Sequence, residues 1–242
     1  MLMAAQGGAR ARDELVVLLD VDNTLLDNDR FSADLDARLV LALGEDGRVR
    51  YRELYERLRD GRGYADYLAP LQLLRRGFAD DPDLLQLSAF LLDYPFAGLV
   101  YPRVAETLAH LQRFATVAIL SDGDMVFQPR KIHRSGLAAV VDEVLIYVHK
   151  QKELDDLRRR VPARRYAMVD DKPLLLSDMQ RAADFPLQTI FVRQGHYAAA
   201  TDATKLDPPP ERTIARIGEL LDFSASDFHL DVLASTSAKD PA

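Results

Sequence analysis

The chain has 242 residues, of which 48% are hydrophobic and 29% charged, and its formal net charge is −7. This length allows one substantial core with a smaller inserted domain, whereas the acidic balance argues against nucleic acid as a partner. The absence of cysteine excludes disulfides, cysteine-ligated zinc and a cysteine nucleophile. The five histidines show no metal-ligand spacing, and no apolar run has the length of a membrane span. We therefore expect a cytoplasmic protein that binds neither nucleic acid nor membrane.

The elements that follow a predicted disordered leader at 1–12 form a repeating pattern of short apolar runs and longer helix-periodic segments. The apolar runs lack the alternation of half-exposed strands, which indicates buried parallel strands. They lie at 14–20, 115–122, 143–150, 165–171 and 188–194. Because the segments between the later strands suit crossover helices, the pattern predicts an α/β doubly wound parallel sheet.

One long interruption separates the first predicted strand from the second. Its periodicity predicts four helices around 31–44, 51–61, 64–78 and 81–96, with Gly44 and Gly61 at helix ends. We therefore predict a helical cap at 30–98, inserted into an α/β core formed by 13–29 and 99–222.

The rest of the core has two further predicted helices and a terminal tail. Residues 100–114 have the pattern of an amphipathic helix that returns to the sheet, and 208–223 that of a final helix. Residues 223–242 are polar and rich in serine, which predicts a tail outside the core.

Polar residues follow four of the predicted strands at their carboxyl ends, the edge at which open parallel sheets bind ligands. They are Asp20 and Asp22, Ser121 and Asp122, Lys150, and Asp170 and Asp171. A single aspartate after a strand is more often a helix cap or a turn residue, but four such strand ends favour one shared site. Carboxylates gathered in a crevice repel each other unless a cation neutralises them. Their oxygen ligands indicate Mg²⁺ rather than zinc.

Other signatures of phosphate binding or hydrolysis are absent from the sequence. It contains no G-x-x-x-x-G-K-[ST] and no G-x-G-x-x-G after the first strand, which argues against a P-loop and a dinucleotide site. It also lacks the G-x-S-x-G elbow of many serine hydrolases.

Four stretches resemble, in order, the motifs of the haloacid dehalogenase-like superfamily of aspartate-nucleophile phosphohydrolases. "DVDNTL" resembles the first motif, D-x-D-x-T-[LV], and "AILSD" resembles the second, an apolar strand that ends in Ser or Thr. "YVHK" resembles the third, a lysine near a helix start, and "AMVDD" the fourth, an acidic pair after a strand. The resemblance covers roughly 14–29 and 100–200, and the insert stands where the family carries a cap of its first type. It implies a Mg²⁺-dependent phosphatase of small phosphorylated metabolites.

The resemblance also implies a role for each motif residue. Asp20 would be the nucleophile that forms an aspartyl-phosphate, and Asp22 would protonate the leaving oxygen and then deprotonate the attacking water. Ser121 would donate a hydrogen bond to the phosphoryl group, Lys150 would offset its charge, and Asp122 would join them in substrate binding.

For the metal, the resemblance implies a site between the Asp20 carboxylate, the Asp22 backbone carbonyl and Asp171, with Asp170 as a further ligand directly or through water. The family often has a carboxylate four residues after the second aspartate of the fourth motif, but this chain has Leu175 there. We therefore expect fewer protein ligands and more water around the ion.

Other readings of the same residues stay open at this stage. The chain could be a phosphomutase or a haloacid dehalogenase of the same fold, or a binding or regulatory protein with weak catalysis. Asp22 favours phosphoryl transfer, because the superfamily's dehalogenases lack this second aspartate and need no metal. Either Lys150 or Lys152 could be the lysine of the third motif, and we prefer Lys150 because it immediately precedes the predicted helix. In the first motif, Asn23 stands where glycine is commonest.

Two further stretches carry weaker signals. Arg193, Gln194 and His196 follow the last predicted strand and either contact substrate or close a loop. In the predicted cap, Arg62, Tyr64 and Tyr67 lie between two helices and are candidates for substrate contact.

Overall fold

The computed structural model describes residues 14–75 and 81–228. Its strands are β1 (Leu15–Leu19), β2 (Thr116–Asp122), β3 (Glu143–Tyr147), β4 (Arg165–Asp170), β5 (Leu187–Val192) and β6 (Arg212–Ile214). They form one parallel sheet in the order β3-β2-β1-β4-β5-β6. The predicted doubly wound α/β fold is confirmed. The predicted leader at 1–12 and residues 229–242 of the predicted tail lie outside the described residues.

Eight α-helices accompany the sheet in the described part of the chain. The insert contributes α1 (Asn28–Arg62), α2 (Ala69–Leu74) and α3 (Pro82–Asp93), and the last three residues of its third predicted helix are not described. The core contributes α4 (Val104–Leu111), α5 (Phe127–Arg134), α6 (Leu154–Arg160), α7 (Pro173–Ala182) and α8 (Tyr197–Ala200).

Glycines interrupt and end α1. Gly44 has a φ of 73° and breaks the helical backbone at the predicted end of the first cap helix. The predicted end at Gly61 is two residues early, because the residue in the left-handed conformation that caps the helix is Gly63, with a φ of 82°.

Strand β1 lies at the centre of the sheet and is buried on both faces. Leu15, Val17 and Leu19 pack into the core on the side of the insert, and Val16 and Leu18 pack into the core on the opposite side. The chain runs from β1 outward through β2 and β3, and then returns to β4 on the other side of β1. The strand order therefore reverses between β1 and β4, which is where ligands bind in sheets of this kind.

The predicted final helix at 208–223 is wrong. Residues Arg212–Ile214 form β6 on the edge of β5, and only a short 3₁₀ helix, Ile217–Asp222, follows. Pairing with the open edge of β5 outweighs the weak helical preference of this segment, in which Thr213 and Ile214 are β-branched.

The start of the predicted tail is also corrected. Phe228 is only 1% exposed and belongs to the main hydrophobic core, where its ring contacts those of Phe114 and Phe223. Residues 223–228 therefore belong to the folded domain.

We expect Phe228→Ala to destabilise the protein by about 3 kcal/mol, because it removes a large buried ring and leaves a cavity. Urea unfolding of the full chain measures the loss. The matched control is Leu85→Ala, since Leu85 is 57% exposed. Equal stability of the two variants would mean that 223–228 does not pack as described.

Candidate active site

Three buried aspartates meet where the strand order reverses. Asp20 follows β1 directly, Asp170 ends β4, and Asp171 follows it. Each offers a carboxylate oxygen that lies within 4.8 Å of those of the other two. The neighbouring parallel strands thus bring together residues that are 150 positions apart in the sequence.

Lys150 connects two of these carboxylates. Its Nζ lies 2.5 Å from Asp20 Oδ1 and 2.6 Å from Asp170 Oδ2, and it also donates to the Leu120 carbonyl oxygen. Its own backbone N–H donates to Asp122 Oδ1 at 2.7 Å, which anchors the lysine to the end of β2. Lys152 is exposed. Of the two candidate lysines in the third motif, Lys150 is therefore the one that enters the carboxylate cluster.

The carboxylate cluster has strongly perturbed pKa values. Burial raises the pKa of Asp20 to about 7, although Lys150 opposes the shift. Burial, together with the charges of Asp170 and Asp20, raises the pKa of Asp171 to about 9. For Lys150, burial alone would lower the pKa, but Asp170 and Asp20 outweigh burial and raise it. The protein alone therefore does not fully stabilise the ionised forms of Asp20 and Asp171.

The free oxygens of the cluster fit a divalent cation. Within the described residues, Asp20 Oδ2 and both carboxylate oxygens of Asp171 are buried without a hydrogen-bond partner. Buried polar atoms without partners are costly, and carboxylate oxygens are the ligands that Mg²⁺ prefers. Asp170 differs, because both of its carboxylate oxygens accept hydrogen bonds. Lys150 Nζ donates to Oδ2, and the backbone N–H of Lys172 donates to Oδ1.

The Asp22 and Ser121 side chains are held by helix α5, an arrangement that the sequence did not indicate. Lys131 Nζ donates to Asp22 Oδ1 at 2.6 Å, and Gln128 Nε2 lies 3.5 Å from Asp22 Oδ2. The same amide donates to Ser121 Oγ at 2.9 Å. Gln128 and Lys131 are buried and one helical turn apart. Because α5 has polar residues on several faces, nothing in its sequence pattern singled out these two.

Asn23 explains why this chain tolerates the loss of the usual glycine in the first motif. Its φ is 58°, a left-handed conformation that asparagine adopts more readily than most residues. Its Oδ1 accepts hydrogen bonds from the N–H groups of Asn28 and Asp29, and its Nδ2 donates to Asp29. Asn23 thus fastens the loop after β1 to the first turn of α1.

The loop after β5 supports this turn from the other side. Gln194 Nε2 donates to the carbonyl oxygens of Asn23 and Thr24, and Gly195, with a φ of 69°, packs against the Asn23 side chain. Of the other residues singled out after this strand, Arg193 is exposed, and His196 pairs with Asp29. Loop closure is therefore the observed role of Gln194.

A cavity of about 620 Å³ lies between the insert and the carboxyl edge of the sheet. Its polar floor includes Asp22, Asp122 and Lys172, and its walls come from the insert and the loop after β5. The wall residues include Arg52, Tyr55, Arg59, Tyr64, Tyr67, His196 and Tyr197. Of the predicted cap contacts, Tyr64 and Tyr67 thus face the cavity, whereas Arg62 forms an ion pair with Asp66.

Lys172 is a second cation of the site that the sequence did not indicate. Burial alone would lower its pKa, but the nearby Asp20 and Asp170 carboxylates outweigh burial and raise it. Its Nζ lies 5.5 Å from the centre of the Tyr197 ring, and its side chain lines the cavity. Lys172 is therefore placed to meet an anionic ligand.

Comparison with solved structures identifies the family. A protein from Burkholderia xenovorans LB400, described as a haloacid dehalogenase-like hydrolase, is 48% identical to this chain, with a TM-score of 0.81. The match covers 88% of this chain and 97% of that one. The parallel α/β fold and this match define the chain as a hydrolase. The chain belongs to the haloacid dehalogenase-like hydrolases.

More distant structures share the fold. The HAD-hydrolase YfnB from Bacillus subtilis, in a magnesium-bound crystal structure, is 16% identical over 87% of this chain and 98% of its own, with a TM-score of 0.59. The L-2-haloacid dehalogenase from Xanthobacter autotrophicus is 18% identical over 86% of this chain and 96% of its own, with a TM-score of 0.56. No protein-family model and no curated protein matches the chain.

No helix in the described ranges has both the length and the apolar character needed to cross a membrane.

We expect Gly195→Ala to destabilise the protein by about 2 kcal/mol, since it forces a side chain into an already packed space. An added Cβ would lie 2.4 Å from Asn23 Cγ, on a backbone whose φ of 69° already disfavours alanine. Urea unfolding measures the effect. Gly98→Ala is the control, because a Cβ there meets nothing within 4 Å. Equal stability of the two variants would contradict the described packing.

We expect Mg²⁺ to raise the melting temperature more at about pH 8.5 than at about pH 5.5. The folded pKa values of about 7 for Asp20 and about 9 for Asp171 exceed the ordinary value of 3.8. The metal-free folded state therefore holds protons that the unfolded state has lost, and its stability falls as pH rises through this window. A bound cation has to displace these protons, so its benefit grows with pH.

Thermal melts with and without MgCl₂ across this pH range measure the difference. In Asp171→Asn the Mg²⁺-dependent gain should largely disappear. A gain that is independent of pH, or that survives in this variant, would show that the ion binds elsewhere.

Proposed function

We propose that this hydrolase is a Mg²⁺-dependent phosphatase that acts on a small phosphorylated metabolite through an aspartyl-phosphate. The observation that carries the proposal is the set of unpartnered oxygens on Asp20 and Asp171, buried beside the ammonium of Lys150. A magnesium-bound neighbour of the same fold supports the choice of metal.

The nucleophile of the proposed reaction is Asp20. Its Oδ1 accepts a hydrogen bond from Lys150 Nζ, whereas its Oδ2 has no hydrogen-bond partner among the described residues. The ion would be held by Asp20 and Asp171, with Asp170 behind them and the Asp22 carbonyl completing the set. When bound, Mg²⁺ would supply positive charge that screens the carboxylates and orients the phosphoryl group.

The other residues would bind the phosphoryl group and move protons. The ammonium groups of Lys150 and Lys172 lie beside Asp20, where negative charge accumulates on a transferring phosphoryl group. Ser121, at the end of β2, would donate a hydrogen bond to a phosphoryl oxygen, because its hydroxyl accepts from Gln128 Nε2 and donates to the Asp122 carbonyl oxygen only over a long 3.3 Å. Asp22 would give a proton to the leaving oxygen and take one from the hydrolytic water.

Asp22 is also the residue that favours a phosphatase over a dehalogenase. Structural neighbours include haloacid dehalogenases, so the fold admits either reaction. Carbon–halogen cleavage releases a halide that needs no proton, whereas release of an alkoxide from phosphorus does. A carboxyl group that lines the cavity and is held by two α5 side chains would be of use in the second reaction and not in the first. A phosphomutase would use the same residues and transfer the phosphoryl group to a second hydroxyl instead of water.

We expect the purified protein to hydrolyse p-nitrophenyl phosphate with Mg²⁺ and to lose that activity with a chelator. Asp20→Asn should reduce kcat at least about 1,000-fold, because an amide cannot form the acyl-phosphate. The matched control is Asp60→Asn, a surface residue whose side chain is 77% exposed, which should keep wild-type activity.

Three results would decide against the proposal. Metal-independent release of chloride from a 2-chloro acid would indicate a dehalogenase. Phosphoryl transfer to a sugar phosphate in preference to water would indicate a mutase. A wild type inert on a broad panel of phosphate esters, while still binding Mg²⁺ and phosphate, would indicate a binding protein.

A further inference from the structure

Lys131 has an unusual environment for a charged side chain. It is only 1% exposed, and its Nζ lies between 5.3 and 5.9 Å from the centres of four aromatic rings. These rings, which we call the Lys131 cage, belong to Phe31, Tyr67, Phe96 and Phe127. Burying an ammonium is costly unless its partners are fixed in good geometry, so the position needs an explanation.

The hydrogen bonds of Lys131 point in one direction, toward the active site. Its Nζ donates to Asp22 Oδ1 at 2.6 Å and to Asn28 Oδ1 at 3.1 Å. The Asp22 side chain is 24% exposed and lines the cavity, whereas the lysine behind it is sealed from solvent. The lysine therefore supports Asp22 from the protein side and leaves the cavity side open to a ligand.

The cage restricts where the ammonium can lie. Three of its rings, Phe31, Tyr67 and Phe96, come from the insert, and the fourth, Phe127, comes from helix α5. Ring faces attract a cation without offering a directional acceptor. The carboxylate of Asp22 and the amide oxygen of Asn28 consequently set the direction of the N–H groups.

We propose that Lys131 is a positioning residue for Asp22, with Asn28 and the cage holding the lysine in place. The inference rests on the proposed function, because it assigns Lys131 to the proton transfers of Asp22. In the first transfer, the bond between an Asp20 oxygen and phosphorus forms, the ester P–O bond breaks, and the leaving oxygen takes the Asp22 proton. In the second, the water that opens the aspartyl-phosphate gives its proton to Asp22. Both transfers need the same carboxyl orientation.

The test compares two phosphate esters that differ in their need for a proton. An alkyl phosphate releases an alkoxide that must be protonated, whereas p-nitrophenolate leaves without help. The value of kcat/KM depends only on the steps up to departure of the leaving group. It therefore reports the first proton transfer of Asp22 and not the later hydrolysis of the aspartyl-phosphate. We expect Lys131→Met to reduce kcat/KM about 100-fold for 2-phenylethyl phosphate, the size expected for a misplaced catalytic group. The loss for p-nitrophenyl phosphate should stay below about threefold, since no proton is needed.

A double-mutant cycle tests whether Lys131 acts through Asp22. Asp22→Asn should show the same preference for p-nitrophenyl phosphate, and adding Lys131→Met to it should cause no further loss. Asn28→Ala should give a smaller loss with the same substrate preference. Equal losses on both esters, independent losses in the double variant, or no loss would each overturn the proposal.

Folding and charge are controlled separately. Methionine fills a similar volume and makes favourable contacts with aromatic rings, so Lys131→Met is expected to fold, and circular dichroism checks this. Lys205→Met removes the same charge from a side chain that is 81% exposed and should leave both kcat/KM values unchanged. Wild-type protein inactive on both esters would overturn the proposed function and this inference together. A selective defect in Asp22→Asn but not in Lys131→Met would overturn the inference alone.

Discussion

The contact of one lysine with two carboxylates is the interaction on which the rest of the site depends. Lys150 Nζ bridges Asp20, at the end of β1, and Asp170, at the end of β4, in a fully buried position. Without it, two adjacent parallel strands would end in unscreened negative charge, which burial makes expensive. The backbone of the lysine is in turn tied to Asp122 at the end of β2. Lys150 thus connects the carboxyl ends of three neighbouring strands. Its contacts can form only when these strands are paired in the observed order.

Much of the fold could be predicted because its information is local. Runs such as 16–19 are short, rich in valine and apolar at every position, which is the pattern expected of strands buried on both faces. Strand β6 could not be predicted in the same way, because three residues pair with β5 only after the remainder of the sheet exists. Phe228 was missed for a similar reason, since a single aromatic residue in a polar segment reveals its burial only through its tertiary contacts.

The residues of the candidate site also fall into two groups, those that the strand pattern predicts and those that only the tertiary structure reveals. Asp20, Ser121, Lys150 and the Asp170–Asp171 pair lie at or just after the carboxyl ends of strands, so topology alone places them at one edge. Gln128 and Lys131 lie on a helix with polar residues on several faces, and only the tertiary structure shows which of them turn inward. Lys172 adjoins the fourth motif and resembles any charged residue at a helix start. The choice between Lys150 and Lys152 also required the structure, because their spacing alone does not say which one is buried.

The insert is joined to the sheet domain at a narrow neck. Leu26 and Val100 form an antiparallel bridge, so the chain leaves and re-enters at nearly the same point. Because the two ends of the insert lie close together, a longer or shorter insert would change the entropy of closing this loop only slightly. A grafted insert would nevertheless have to bring counterparts of Phe31, Tyr67 and Phe96, because these rings surround the ammonium beside Asp22. A change of insert would therefore alter the surroundings of Asp22 as well as the wall of the cavity, although Asp22 itself belongs to the sheet domain.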